Sequence, residues 1–125
     1  MIKLVIEQVV HCLGYGRWKM IIAIDFDGTI TKEHRYPRIG VVDTKAIEVI
    51  KKLKRKHTIC LWTCRHGEAL QEVVDTLEQN YGLVFDYIND SPYTTGSRKI
   101  VADYYIDDRA FGGITNWDVI EEHLC

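Results

Sequence analysis

The sequence lacks the features that mark membrane, secreted and repeat proteins. Its apolar runs, such as Met20–Ile24, are far too short to span a bilayer. The segment Met1–Leu13 is apolar, but it includes Glu7, Gln8 and His11 and so makes a poor signal-peptide core. No internal repeat or low-complexity tract is present. These absences predict a protein without a membrane partner.

Cysteine pairs of the metal-binding or redox type are also missing. The four cysteines, at positions 12, 60, 64 and 125, form no CxxC pair and show no disulfide-framework spacing. Cys60 and Cys64 lie four residues apart on one strand-like stretch. We therefore expect both to point the same way as reduced, buried thiols. A reducing cytoplasm is the simplest location for such a protein.

The chain has no strong net charge. It carries 16 Lys and Arg against 18 Asp and Glu, which gives a net charge of −2 and a pI near 6.2. This balance provides no electrostatic reason to expect nucleic acid as a bulk partner. With 125 residues, of which 46% are hydrophobic and 27% charged, the chain is long enough for one globular domain and too short for two.

From Met20 onward, buried strand patterns alternate with amphipathic helix patterns. Continuous apolar strands are typical of a parallel sheet that is covered on both faces. The alternation predicts an α/β fold, a three-layer Rossmann-like sandwich with a mostly parallel central sheet. Strands are predicted at Met20–Ile24, Thr58–Thr63, Val84–Ile88 and Tyr104–Ile106, and helices at Ala46–Leu53 after Asp43 or Thr44 as N-cap, at Leu70–Tyr81 before Gly82, and from Asn116 onward.

Residues 1–19 form a separate segment ahead of the main domain, residues 20–125. Apolar residues in this extension would line one face of a helix that ends at Gly14, and a short loop would follow. Two interpretations remain open. The segment is either a docked N-terminal helix or upstream sequence, in which case Met20 is the true start.

Carboxylates follow the first and the last predicted strands. Asp25 and Asp27 end the first strand, and Asp107 and Asp108 end the last one. Ligands of doubly wound sheets bind outside the carboxyl ends of the strands, and alternate strand residues share a face. Carboxylates that converge there repel one another, and a divalent cation removes this repulsion. A lone Asp-x-Asp is also typical of a turn, but two acidic strand ends predict an oxygen-ligated Mg²⁺ site rather than a zinc site.

Two further polar residues stand where a phosphate site would need them. Thr63 ends the second strand and offers a hydroxyl and a backbone N–H to an anion. Lys99 precedes a short apolar stretch and lies eight residues before Asp107, so we expect a partly buried lysine that pairs with a carboxylate and binds phosphate. Taken alone, each residue is more typical of a strand end or a solvated charge. It is their order along the chain, between the two acidic strand ends, that indicates a phosphate site.

The order of Asp25–Thr29 (Asp-x-Asp-Gly-Thr), Thr63, Lys99 and Asp107–Asp108 resembles the haloacid dehalogenase superfamily of phosphohydrolases. The resemblance extends from Met20 to about Gly113. The stretches "DFDGTI" and "IDDR" are highly specific, whereas the threonine and the lysine are weak individually. The similarity is greatest to small bacterial members that contain "HRYPRIG" and "SRK…IDDR…GG" stretches.

The resemblance implies a domain of this superfamily's fold without a cap domain. Caps in this superfamily are inserted after the first motif or between the threonine and the lysine. Here Thr31–Val42 is too short for a folded cap, and Thr63–Lys99 is filled by one helix, one strand and a loop. The site is therefore expected to be open unless a neighbouring subunit covers it, and a homo-oligomer remains an alternative.

The resemblance also implies catalytic and metal-binding roles. Asp25 would attack phosphorus as the nucleophile and form a phosphoaspartate, and Asp27 would act as the general acid and base. Mg²⁺ would be held by Asp25, the backbone carbonyl of Asp27 and Asp107. Asp108 would be a further ligand or would hold a metal-bound water.

Phosphate binding and substrate choice are assigned to three further places. Thr63 and Lys99 would bind the transferring phosphoryl oxygens, and Arg65, two residues after the threonine, is placed to reach a phosphate. The turn Asp25–Thr29 carries both expected catalytic aspartates, and we name it the catalytic turn. The loop Glu33–Gly40, which we name the substrate loop, follows it closely and would contact the rest of the substrate. Solvated loop charges are the alternative interpretation. The predicted substrate-loop residues are Arg35, Tyr36 and Arg38, with His34 beside them.

Together these features predict a Mg²⁺-dependent phosphatase that acts on an unidentified phosphomonoester. A small phosphorylated molecule is the expected substrate, and a polynucleotide end is an alternative. A receiver-like phosphoacceptor domain is a rival interpretation, but receivers carry their acidic pair early in the chain, whereas here the adjacent pair comes last. A member of the superfamily that binds phosphate without turnover is the third interpretation.

Overall fold

The fold is an α/β sandwich around one parallel sheet. A computed structural model describes residues 19–93, 96–113 and 115–125. The strands are all parallel and lie in the order β3-β2-β1-β4, and no cap domain is present within the described part of the chain. The predicted Rossmann-like architecture is thereby confirmed. The elements are β1 (Ile21–Ile24), α1 (Thr44–Lys54), β2 (Thr58–Leu61), α2 (Gly67–Tyr81), β3 (Tyr87–Ile88), β4 (Tyr104–Ile106) and α3 (Trp117–Leu124).

Two strands are shorter than their apolar runs predict. β2 ends at Leu61 because the N–H of Thr63 donates to the side chain of Asn89 at 2.8 Å and not to a neighbouring strand. β3 begins only at Tyr87, because the carboxylate of Asp86 accepts the N–H of Ile59 at 2.9 Å, where a strand carbonyl would otherwise pair. Polar side chains thus replace ladder bonds at both places.

The predicted helix ends are confirmed. The side chain of Asp43 caps the N-terminus of α1, and Asn116 does the same for α3 by accepting two backbone N–H groups. α2 ends at Gly82, which has a φ of 63°. Within the described ranges, no helix combines the length and the apolar character needed to cross a membrane.

All three described helices pack on one face of the sheet. Alternate strand residues join the apolar sides of the helices in one core. They are Ile22 and Ile24 of β1, Ile59 and Leu61 of β2, and Ile106 of β4. The opposite face carries a smaller cluster around Ala23, Cys60 and Ile100. The segment around Ile100 belongs to the connection from β3 to β4, which therefore returns across the second face and supplies its described cover.

This crossing makes β1 the switch point of the sheet. The chain runs from β1 through β2 to β3 on one side and then returns to place β4 on the other side of β1. The crevice above such a point is where doubly wound sheets bind their ligands. β1 therefore delivers the residues that follow it into the most favourable position for a site.

The predictions for the cysteines and for the N-terminal extension have different outcomes. Cys60 is buried as expected, but Cys64 is exposed, because β2 ends at Leu61 and the thiol belongs to the following bend. The predicted N-terminal extension lies outside the described residues except for Lys19. Met20 is buried, and its N–H donates to the ring of His57 at 3.1 Å.

Candidate functional site

Three aspartates meet where β1 and β4 end. Asp25 follows β1, and Asp107 and Asp108 follow β4, which pairs with β1 in parallel register. One ligand oxygen from each of the three carboxylates lies within 4.8 Å of the others, and all three residues are partly exposed. We name Asp25, Asp107 and Asp108 the acidic cluster. The structure thus brings together the three side chains that the sequence predicts as metal ligands.

The hydroxyl of Thr29 connects two members of this cluster. It lies 2.9 Å from Oδ2 of Asp25 and 3.2 Å from Oδ1 of Asp108, and it accepts the backbone N–H of Asp108 at 3.0 Å. Because a hydroxyl has one proton, it can donate to only one carboxylate at a time. The carbonyl of Thr29 accepts the buried indole N–H of Trp117 at 3.0 Å. Helix α3 therefore fixes the turn that carries the cluster.

The carboxylate of Asp25 has an unusual protonation equilibrium. Burial raises its pKa from the ordinary 3.8 to about 7; the hydrogen bond from Thr29 opposes this rise, and the charge of Asp107 adds to it. Without a cation, this group is therefore partly protonated near neutral pH. A divalent ion beside it would favour the ionised form, which is the form that a nucleophile needs.

The pKa of Asp108 is shifted in the opposite direction, and a histidine of the substrate loop contributes to this shift. Burial acts to raise its pKa, but hydrogen bonds with His34, Asp25 and Thr29 outweigh burial and lower it. Nε2 of His34 lies 2.8 Å from Oδ2 of Asp108. Gly28 makes this approach possible, since a Cβ there would collide with both side chains and its φ is +82°.

Asp27 is held apart from the acidic cluster by a buried arginine. Nε and Nη2 of Arg65 donate to the two oxygens of Asp27 at 2.8 and 2.7 Å. Nη1 donates to the carbonyls of Pro37 and Ala69 at 2.9 and 3.4 Å, and Nη2 also donates to the carbonyl of Arg38 at 2.6 Å. A guanidinium has five N–H groups, and each has a partner here. Every N–H group of Arg65 is thus already occupied in this conformation, and its contact with a phosphate stays a prediction.

Thr63 lies near the end of β2 with one donor still available. Its N–H donates to Oδ1 of Asn89, and its hydroxyl oxygen accepts the N–H of Arg65 at 3.1 Å. The hydroxyl proton is donated to no described residue, so it remains available to a phosphate oxygen. Asn89 adopts a φ of 51°, a left-handed conformation that asparagine tolerates, and so holds this turn after β3.

Lys99 does not take the expected position. Its side chain is exposed, and its ammonium lies 4.7 Å from the centroid of the Tyr105 ring. It forms no ion pair with a carboxylate of the described residues. The expectation of a partly buried lysine is wrong, because the connection between β3 and β4 forms no helix or strand around this residue and leaves its side chain on the surface.

The substrate loop is closed at its base by a bridge between its two flanking segments. Thr31 and Val42 pair at its base as an isolated antiparallel bridge. Arg35 is exposed and its Nε lies 3.2 Å from the carboxylate of Glu33. The side chain of Arg38 is also exposed, so both predicted substrate arginines face solvent.

Three supporting residues escaped the sequence analysis. Asn89 and Trp117 received no role, although one lies directly after a strand candidate and the other begins the last helix. His34 was named only as a member of the loop. The signals available were an asparagine at a strand end and a histidine close to the Asp-Gly-Thr turn, and neither identifies its partner without the fold.

Comparison with known proteins provides one informative relationship. No family model matches the chain, and no curated protein matches it. A solved structure of the conserved protein coded by a locus of Bacteroides thetaiotaomicron is similar to this chain, with 46% sequence identity and a TM-score of 0.77. The match covers 84% of this chain and 88% of the other. At this identity and coverage, the chain belongs to the same family as that Bacteroides thetaiotaomicron protein.

Proposed function

We propose that this protein is a Mg²⁺-dependent phosphatase of the haloacid dehalogenase type that cleaves phosphomonoesters through a phosphoaspartate on Asp25. The observation that carries the proposal is the convergence of Asp25, Asp107 and Asp108 at the switch point of the sheet, where no described lysine or arginine side chain forms an ion pair with them. The raised pKa of Asp25 supports it, because a carboxylate that is partly buried beside other carboxylates is suited to a cation.

The donor set of the acidic cluster fits magnesium. All the available side-chain ligands are carboxylate oxygens, and the partly exposed cluster leaves room for water and a phosphate oxygen. Asp25 and Asp107 would hold the ion together with the backbone carbonyl of Asp27, and Asp108 would hold it directly or through water. When bound, Mg²⁺ would offset the charge of the phosphoryl oxygens during transfer.

In the first step, the carboxylate of Asp25 attacks phosphorus opposite the leaving oxygen. A bond forms between the aspartate oxygen and phosphorus, and the phosphorus–oxygen bond to the leaving alcohol breaks with its electron pair on the alcohol oxygen. A proton from the carboxyl of Asp27 goes to that oxygen. The hydroxyl of Thr63 would bind one of the transferring phosphoryl oxygens, and Lys99 would need to turn from Tyr105 to reach another.

In the second step, a water molecule attacks the phosphorus of the phosphoaspartate. Its proton goes to the carboxylate of Asp27, the bond between phosphorus and Asp25 breaks, and the electron pair returns to the Asp25 carboxylate. The products are an alcohol and inorganic phosphate. Both steps need Asp27 to turn from its two hydrogen bonds with Arg65.

The open surface around the site does not limit the size of the non-phosphate part of the substrate. The described residues contain no cap to enclose a small molecule, and the arginines of the substrate loop face solvent. A small phosphorylated metabolite remains the expected substrate, with a polynucleotide end and a subunit-covered site as alternatives. We place the protein in the cytoplasm.

The test is an assay of an aryl phosphate and a panel of phosphorylated metabolites, with Mg²⁺ and then with a chelator. We expect activity that requires Mg²⁺ and that Asp25→Asn abolishes, because an amide is no nucleophile. Asp75→Asn, on α2, is the matched control and should keep full activity. Activity that survives chelation would contradict the metal assignment.

One observation favours a second candidate, a phosphoacceptor that does not turn over. Asp27 lies outside the acidic cluster and is held by Arg65, so in the described conformation the expected general acid and base is bound to an arginine and not to Asp25. Beryllofluoride, which mimics a phosphoryl group on aspartate, distinguishes the candidates together with turnover. An adduct on Asp25 with turnover supports the phosphatase, whereas an adduct without turnover supports the phosphoacceptor. An adduct on Asp90 or Asp108 would support a receiver-like domain.

A further inference from the structure

Arg65 is the largest fully buried side chain in the described structure. Only 1% of its surface is exposed, although arginine is rarely buried unless it is paired. Its guanidinium lies close to two rings, with Cζ 5.5 Å from the centroid of Phe26 and 5.1 Å from that of Tyr36. Phe26 belongs to the catalytic turn and is buried, whereas Tyr36 belongs to the substrate loop and is exposed. One side chain therefore packs against both segments.

The hydrogen bonds of Arg65 divide between the same two segments. The fork of Nε and Nη2 engages both oxygens of Asp27 in the catalytic turn. Nη1 and Nη2 engage the carbonyls of Pro37 and Arg38 in the substrate loop. A planar group cannot keep all these contacts if either segment moves, so the direction of the Asp27 side chain and the position of the loop depend on each other.

We propose that Arg65 is a positioning residue that couples the substrate loop to Asp27, so that proton transfer at the leaving oxygen depends on contacts made by the loop. The inference rests on the proposed phosphatase function for its catalytic part. Substrate contact that shifts the carbonyls of Pro37 and Arg38 withdraws partners from the guanidinium. Arg65 then follows the loop, and Asp27 is released to face the leaving oxygen.

The first experiment measures this coupling without turnover. Hydrogen exchange is followed for peptides that cover residues 32–41 in the wild type, in Arg65→Lys and in Asp27→Asn. Both variants should exchange faster in this segment by about tenfold, because each removes part of one shared set of contacts worth at least one charged hydrogen bond. Arg55→Lys, an exposed arginine after α1, is the control and should leave exchange unchanged. Unchanged loop exchange in Asp27→Asn would overturn the coupling.

The second experiment uses two substrates that differ in their leaving groups. An aryl phosphate with an acidic phenol leaves without a proton, whereas an alkyl phosphate needs one from Asp27. Arg65→Lys keeps the charge that holds Asp27 and loses the fork that joins it to the loop carbonyls, so loop contact can no longer release Asp27. The kcat for the alkyl phosphate should therefore fall by about tenfold to a hundredfold, and kcat for the aryl phosphate far less. Equal losses on both substrates would indicate a purely structural role and overturn the proposal.

A double variant completes the test. If Arg65 acts on catalysis through Asp27, Arg65→Lys added to Asp27→Asn should cause no further loss with the alkyl phosphate. Losses that multiply would overturn the proposal. Absence of any Mg²⁺-dependent activity in the wild type would instead refute the phosphatase function, and the exchange measurements would still decide whether the loop and Asp27 are coupled.

Discussion

Three carboxylates lie close together in each of two regions of this molecule. Among the described residues, lysine side chains pair with the carboxylates in only one of these regions. Between α1 and α3, Glu48, Asp118 and Glu121 surround the ammonium groups of Lys45 and Lys52. We name this region the helix charge cluster. Its shortest pair joins Lys52 and Glu121 at 2.7 Å. No described lysine or arginine forms an ion pair with the acidic cluster, whose ion-pair partner among the described residues is His34.

The protonation of the two clusters differs accordingly. Hydrogen bonds from Lys52 and Lys45 lower the pKa of Glu121. Burial, with the charge of Asp107 in support, raises the pKa of Asp25 to about 7. A cluster that is neutralised by its own lysines stabilises the contact between two helices. A partly buried cluster without such partners is suited to a cation that comes from outside the chain.

The largest effect should follow from disturbing the approach of the substrate loop to the acidic cluster. Gly28→Ala places a methyl group against His34 and Asp108 at a φ of +82°. Since a displacement of about 1 Å costs catalysis roughly a hundredfold, we expect kcat/KM to fall by at least that amount. Gly82→Ala is the control, with φ +63° and only the flexible Lys51 nearby, and should lower the melting temperature without lowering kcat. Equal effects on kcat would show that the approach is unimportant.

The next effect concerns the exposed arginines of the substrate loop, which form no described ion pair with the acidic cluster. Arg35 pairs with Glu33, and the side chain of Arg38 is exposed, so both remain available to a substrate. A charge-assisted hydrogen bond contributes about 1.5–3 kcal/mol, so Arg35→Ala and Arg38→Ala should each cost about tenfold to a hundredfold in kcat/KM for the natural substrate. A small aryl phosphate should be affected far less. Equal losses with both substrates would place selectivity elsewhere.

The comparison also predicts opposite pH dependences of stability. Because the pKa of Asp25 is higher in the folded state, the metal-free folded protein binds more protons than the unfolded chain between pH 3.8 and about 7. Its contribution to the free energy of unfolding should therefore fall as the pH rises through this range. Thermal unfolding without metal should show that Asp25→Asn removes this fall, and Mg²⁺ should stabilise the wild type and not the variant. A pH profile unchanged by the substitution would contradict the assignment.

The smallest effect is expected in the helix charge cluster. Glu121 has a lowered pKa, so its contribution to stability is present above the ordinary value of 4.5 and is lost as the pH falls through the lowered value. Glu121→Gln should reduce the melting temperature slightly at neutral pH, and high salt should reduce the difference. Activity should be unchanged. A loss of Mg²⁺-induced stabilisation in this variant would mean that the two clusters are not independent.

Much of the fold was predictable because its signals are local. Apolar spacing located α1 and α2, and the residues Asp43, Gly82 and Asn116 marked helix ends through their own side chains or backbone freedom. The strand ends were less predictable. β2 and β3 are shortened by Asn89 and Asp86, whose partners lie 26 and 27 residues away in the chain.

The residues of the candidate site also differ in how far their positions could be predicted from the sequence. The meeting of the acidic cluster follows from two strand ends that are neighbours in a parallel sheet, and this is a consequence of topology. The position of Arg65 does not follow, since its partners come from Asp27, the substrate loop and α2 together. Lys99 was misjudged because its connection carries no periodic pattern from which burial can be inferred.

The distance along the chain between the parts of the acidic cluster has a consequence for folding kinetics. The contacts of Asp108 with Thr29 and His34 close loops of 79 and 74 residues, and β4 is a three-residue strand at the edge of the sheet. An ion that needs both Asp25 and Asp107 can bind only after this edge has docked. If docking follows the folding transition state, Mg²⁺ binding will slow unfolding more than it accelerates refolding. The metal-bound cluster would then determine the rate of unfolding and so the lifetime of the native state.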